Sequence, residues 1–116
     1  MTNYREVSDK VREKSKDVVL VAVSKTKPLE DIISAYDDGA RIFGENRVQE
    51  IVAKFSSKEK QDMKVYLIGQ LQSNKVKKAV MYADRIESVD YIPILEKINI
   101  ESGKIGKKME ILLEVN

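Results

Sequence analysis

Val18-Val19-Leu20-Val21-Ala22-Val23 runs straight into Ser24-Lys25-Thr26-Lys27-Pro28. The apolar half is rich in valine, which favours an extended strand. The polar half breaks that strand, and Pro28 suits the first turn of a helix. Leu29, Ile32, Ile33 and Tyr36 then fall at i, i+3, i+4 and i+7, which is one face of a helix. Gly39 suits the stop of that helix. This strand–loop–helix unit is the pattern that recurs along the chain.

The first β-type run is Val18–Ser24, and further ones lie at Ala40–Phe43, Lys64–Ile68, Arg85–Val89 and Met109–Val115. Helical spacing separates them: Val48, Ile51, Val52 and Phe55; then Val76, Ala79, Val80 and Ala83; then Tyr91, Leu95 and Ile98. Asn46 with Gln49 reads as a capping-box variant, Ser73 as the cap of the third of these helices and Asp90 as the cap of the fourth. An N-terminal helix within residues 1–17 carries Tyr4, Val7 and Val11 on one face. The predicted strands begin at residues 18, 40, 64, 85 and 109, one every 21 to 24 residues. Such spacing fits parallel strands joined by right-handed helical crossovers.

The fold class is therefore α/β, in one domain over residues 1–116: an N-terminal helix over 1–17, then four βα units and a fifth strand over 18–116. Two architectures use this pattern. One is a doubly wound five-stranded sheet; the other is a (βα)4β portion of a TIM barrel. A full barrel needs at least about 200 residues, so 116 residues at roughly 23 per unit supply half of one. A doubly wound module of receiver type expects acidic residues after its first strand and an Asp ending its third. Ser24-Lys25 and Gly69-Gln70 stand there instead, which favours the barrel portion.

Composition narrows the chemistry. Lys and Arg number 21 against 19 Asp and Glu, a net charge of +2. That balance does not suit a nucleic-acid binder. Lys75, Lys77 and Lys78 read as a solvated helix face rather than a basic patch. Cysteine and histidine are both absent, which excludes disulfides, thiolate zinc sites and the Ser-His-Asp triad. The run Val18–Val23 is far short of the roughly 20 apolar residues that cross a bilayer. The charged N-terminus lacks a signal-peptide core, so the expected location is the cytoplasm.

In parallel α/β folds, sites gather at the carboxyl ends of strands. Lys25 stands at such an end and shares a strand face with Val19, Val21 and Val23. At the mouth of an apolar barrel, desolvation would lower its pKa and favour a nucleophilic amine suited to a Schiff base with an aldehyde. The competing reading is one more solvated lysine on a chain with many. Gly44-Glu45-Asn46 and Gly69-Gln70-Leu71-Gln72-Ser73-Asn74-Lys75 are strand–helix junctions that offer amides, a hydroxyl and a cation to a polar ligand; they also read as ordinary loop and cap chemistry. In the last strand Met109, Ile111, Leu113 and Val115 share one face, and Glu110, Leu112, Glu114 and Asn116 the other.

Four motifs coincide: Ala22-Val23-Ser24-Lys25-Thr26-Lys27-Pro28, Phe43-Gly44-Glu45-Asn46-Arg47-Val48-Gln49-Glu50, Ile68-Gly69-Gln70-Leu71-Gln72-Ser73-Asn74-Lys75 and Leu112-Leu113-Glu114-Val115-Asn116. In this order and spacing they resemble the pyridoxal phosphate homeostasis protein family over residues 18–116. The resemblance implies an alanine-racemase-like TIM barrel of fold type III. It implies pyridoxal 5′-phosphate as cofactor, held as a Schiff base on Lys25, and a carrier or homeostasis role without enzymatic turnover. It puts Asn46 near the cofactor, and Asn74 and Lys75 at the same mouth. Tyr66 stands where family members often carry His, so a phenol is expected to line the cavity there.

The family is about twice as long, and its later loops hold the cofactor phosphate. An aldehyde held by Lys25 alone is therefore expected to exchange freely with solvent. A half barrel also leaves its first and last strands as edges, which invite pairing. Self-association, or a partner chain supplying a complementary half-barrel, is the expectation.

Overall fold

The computed structural model describes residues 4–56 and 62–114. Val115 and Asn116, assigned above to the last strand and its motif, lie outside the described residues. Helix α1 covers Tyr4–Lys14 and stops before Ser15, short of the predicted end at residue 17; residues 1–3 of that prediction lie outside the described residues. Strand β1 (Ala22–Val23) leads to α2 (Leu29–Asp37), β2 (Ile42–Glu45) to α3 (Val48–Phe55), and β3 (Lys64–Leu67) to a 3-10 turn at Ser73–Lys75 and then α4 (Val76–Tyr82). Strand β4 (Arg85–Val89) leads to α5 (Ile92–Lys104), and β5 (Glu110–Leu113) follows.

All neighbouring strands are parallel, and the sheet order is β1-β2-β3-β4-β5. Strand order never reverses, so there is no topological switch point of the doubly wound kind. The receiver-like alternative is excluded by that order, and the fold is a (βα)4β portion of a TIM barrel.

Registry sorts the two faces. Ala22, Phe43 and Val65 lie level with one another, as do Glu45, Leu67 and Ile86. This face is covered by the helices. Phe43, Val65, Leu67 and Ile86 join Ile32, Ile51, Phe55, Val76, Val80 and Ile98 in one buried core, and the rings of Phe43 and Phe55 sit 5.9 Å apart. On the opposite face Val23, Gly44, Tyr66, Arg85 and Glu110 form one row across the sheet. Among the described residues none of these five belongs to the buried cluster beneath the helices. Theirs is the face that a closed barrel turns inward.

Three expectations are corrected. The first strand is two residues long rather than Val18–Ser24, because an edge strand has a ladder partner on one side only; Val19 is left 66% exposed. The helix caps differ too: Arg47, not Asn46, is the N-cap of α3, and Tyr91, not Asp90, is that of α5, neither with a side-chain cap bond. Ser73 sits inside the 3-10 turn, where its Oγ accepts a hydrogen bond from Lys97 Nζ at 3.3 Å. Chain direction at these junctions is set by sheet registry, so the residue that first turns helical need not be the best capper. Gly39 behaves as expected, ending α2 at φ +113°.

Candidate functional site

The carboxyl end of β1 is built around a buried acid. Glu45 lies on the helix-covered face, level with Leu67, and is 0% exposed. A buried carboxylate without partners is costly, so its surroundings must compensate it. Ser24 Oγ donates to Glu45 Oε2 at 2.5 Å, and Lys54 Nζ from α3 pairs with the same oxygen at 3.2 Å. The Lys54 side chain is itself only 13% exposed. Its ammonium also donates to the Ser24 carbonyl at 2.9 Å and pairs with Glu50 Oε1 at 3.1 Å.

Glu50 completes the assembly by accepting the Thr26 amide at 3.0 Å. That N–H, followed by the Lys54 ammonium, holds the Glu50 carboxyl below its ordinary value of 4.5. Thr26 adopts a left-handed φ of +61°, uncommon for a residue with a branched β-carbon. The Lys27 amide closes the turn onto the Ser24 carbonyl at 3.1 Å. Both neighbours of Lys25 are thus gripped from α3, while the Lys25 side chain is exposed. The described residues do not give it the desolvated mouth expected above, because the inward face is open beside it.

The second loop cluster lies at the ends of β2 and β3. A β-carbon on Gly69 would stand 2.9 Å from both the Cα and the carbonyl carbon of Asn46, and closer still to its oxygen. Only glycine lets these two junctions touch. Around that contact a cleft of about 770 Å³ is lined by Asn46, Arg47, Gln49, Gly69, Gln72 and Lys75, among others. Asn46 and Lys75 are therefore brought to one cleft. Asn74 is exposed in the 3-10 turn and Lys25 lies outside the cleft lining.

Tyr66 is on the inward face, 7% exposed, with the Arg85 guanidinium 4.4 Å from its ring centre. Arg85 is paired with Glu87 at 3.4 Å and with Glu110. One further feature escaped sequence reasoning: Ser88 has φ +68° at a register shift in the β4–β5 pairing, and its Oγ donates to the Ile68 carbonyl at 3.1 Å.

Sequence reasoning also missed Glu45, Glu50 and Lys54 as a unit. A signal existed: parity places Glu45 with Phe43 on the apolar face, and Glu50 and Lys54 are spaced i, i+4. Among the described residues no cluster of Asp and Glu could hold a metal ion, and no helix is long and apolar enough to cross a membrane.

No protein-family model matches the chain. A curated pyridoxal phosphate homeostasis protein of Pasteurella multocida is 34% identical over 98% of this chain and 50% of its own length. The protein of that name from Haemophilus influenzae is 38% identical over 85% of this chain and 43% of its own. Solved structures agree: PipY of Synechococcus elongatus, in the form without PLP, superposes with a TM-score of 0.90 at 39% identity, over 98% of this chain and 54% of PipY. The chain belongs to the pyridoxal phosphate homeostasis protein family. It spans about half the length of the curated family members it matches. PipY with PLP bound superposes almost equally well, with a TM-score of 0.89 at 38% identity, over 98% of this chain and 55% of PipY.

Proposed function

We propose that this chain is the lysine-bearing half of a cofactor-holding barrel. It would hold pyridoxal 5′-phosphate through Lys25 and serve intracellular cofactor homeostasis as a carrier without turnover of its own. One observation carries the proposal: an exposed lysine follows β1, its turn is fixed from both sides, and Val23 beside it on the inward face is itself exposed.

The residues present fit the group in chemistry. When bound, the cofactor supplies an aldehyde to which a primary amine adds with loss of water. Lys25 offers that amine in an accessible place. Gly44 keeps the neighbouring wall low; a β-carbon there would lie 2.9 Å from Ile68 Cδ1 and 3.2 Å from Val21 Cγ1. Asn46 and Lys75 would meet polar or anionic parts of a ligand at the cleft they share, with Asn74 at its margin and Tyr66 further down the inward face.

Among the described residues, strands β1 and β5 each pair on one side only. We propose that these edges are paired in the working assembly, by a second copy or by a complementary half-barrel chain. A cytoplasmic site of action belongs to the same proposal and is tested by fractionation.

The deciding experiment is borohydride reduction in the presence of pyridoxal 5′-phosphate, followed by peptide mass spectrometry. A stable adduct on Lys25, lost in Lys25→Ala along with the visible absorbance, is expected. No adduct on Lys25, under conditions that label a full-length relative, overturns the reading. Light scattering that shows a stable monomer overturns self-association.

A further inference from the structure

We infer that Glu50, Lys54 and Glu45 are positioning residues for Lys25. They form an anchor on α3 and β2 that fixes the turn on which the amine is carried. The inference rests on the cofactor reading for its purpose, but its geometry stands independently of that reading.

The turn has little else to hold it. Strand β1 is two residues long and lies at an edge of the sheet. Backbone bonds account for two contacts: Ser24 N donates to the Gly44 carbonyl at 3.0 Å, and Lys27 N to the Ser24 carbonyl at 3.1 Å. Past Val23, the Ser24 hydroxyl also reaches the Gly44 carbonyl at 3.5 Å, and the other bonds found on the turn come from side chains of the anchor. Lys54 Nζ takes the Ser24 carbonyl, Glu45 takes the Ser24 hydroxyl, and Glu50 takes the Thr26 amide.

These contacts bracket Lys25 without touching its side chain, and they leave the amine exposed. The left-handed Thr26 needs such help, because a threonine at φ +61° returns to extended backbone when nothing opposes it. Return of Thr26 to extended backbone would swing the Lys25 carbonyl and redirect its side chain. Misplacement of a reacting group by about 1 Å is enough to cost up to about a hundredfold in rate.

The anchor also separates two roles of Glu50. Its oxygen accepts the Thr26 N–H, and its charge balances Lys54, which faces Glu45 and Glu50 together. Glu50→Gln keeps an accepting oxygen and removes the charge; Glu50→Ala removes both. A turn held by the hydrogen bond is rescued by Gln. A contribution that is only charge balance is not.

The experiment uses the intact chain and two probes. Borohydride trapping with pyridoxal 5′-phosphate gives the adduct rate on Lys25, with exposed Lys78 in the same protein as internal reference. Amide hydrogen exchange at Thr26 and Lys27 reports the turn without any cofactor. Glu50→Ala is expected to slow trapping at Lys25 relative to Lys78 about tenfold or more and to speed Thr26 exchange by a similar factor. Glu50→Gln is expected to restore most of both. Lys54→Met repeats the loss where it folds, and Lys54→Arg recovers it.

An unchanged Lys25-to-Lys78 ratio with unchanged Thr26 exchange in Glu50→Ala overturns the inference. A merely structural role would lower thermal stability and leave the ratio where it was, which also overturns it. Absence of a wild-type Lys25 adduct overturns the cofactor reading alone. Thr26 exchange in Glu50→Ala then still decides the anchor: faster exchange supports it and unchanged exchange overturns it.

Discussion

Gly69→Ala and Gly103→Ala make the same chemical change and are expected to move stability in opposite directions. At Gly69 the new methyl would stand 2.9 Å from two backbone atoms of Asn46, where ordinary contacts begin at 3.4 Å, and closer still to the carbonyl oxygen. Backbone atoms cannot rotate away as a side-chain tip can, so the two junctions must separate. Overpacking of this kind costs typically 1–3 kcal/mol, and the backbone contacts put Gly69 at about 3 kcal/mol. At Gly103, within α5, nothing lies within 4 Å of the new methyl. Alanine there removes the glycine penalty of a helix and should gain about 0.5–1 kcal/mol. For a domain of this size the two changes correspond to a fall in Tm of about 12 °C and a rise of about 2–4 °C. Calorimetry on both variants, with urea midpoints as a second measure, checks the pair. A Gly69→Ala protein as stable as the parent would refute the contact between the β2 and β3 junctions, and with it the shared cleft of Asn46 and Lys75.

Three other outcomes are expected. Lys54→Met should destabilise by about 3–5 kcal/mol, because it leaves the buried Glu45 charge unpaired; Lys54→Met combined with Glu45→Leu should recover part of that loss in chemical denaturation. Glu50 has its carboxyl lowered by the Thr26 amide and then by Lys54. Its contribution is therefore complete above the ordinary value of 4.5 and is lost as pH falls through the lowered one. The stability difference between the parent and Glu50→Gln should accordingly shrink in acid, and a difference that grows there would contradict the bond. Lys25→Ala, at an exposed position, should leave stability within about 0.5 kcal/mol while abolishing the trapped adduct.

Much of the architecture was legible because it rests on local periodicity. Leu29, Ile32, Ile33 and Tyr36 announce α2 with no knowledge of what they pack against, and the even strand spacing announces parallel crossovers. Lys25, Asn46 and Lys75 were singled out as candidates because carboxyl ends of strands can be located once strands are. The caps failed for the opposite reason. Asn46 and Asp90 are good cappers by chemistry, yet Arg47 and Tyr91 take the positions, because sheet registry sets where each chain segment turns.

The sequence by itself determined the alternation of strands and helices, the lack of histidine and cysteine chemistry, and the lysine at the end of the first strand. These follow from residue identity and from periods of two and 3.6. Tertiary structure alone decided the strand order that excludes a doubly wound sheet, and the grip of Lys54, Glu50 and Glu45 on the turn carrying Lys25. Those facts depend on contacts between residues some 20 to 30 positions apart, such as Thr26 with Glu50 and Ser24 with Lys54. No local period encodes such contacts; they exist only once parallel strands have brought the chain ends of β1 and β2 side by side.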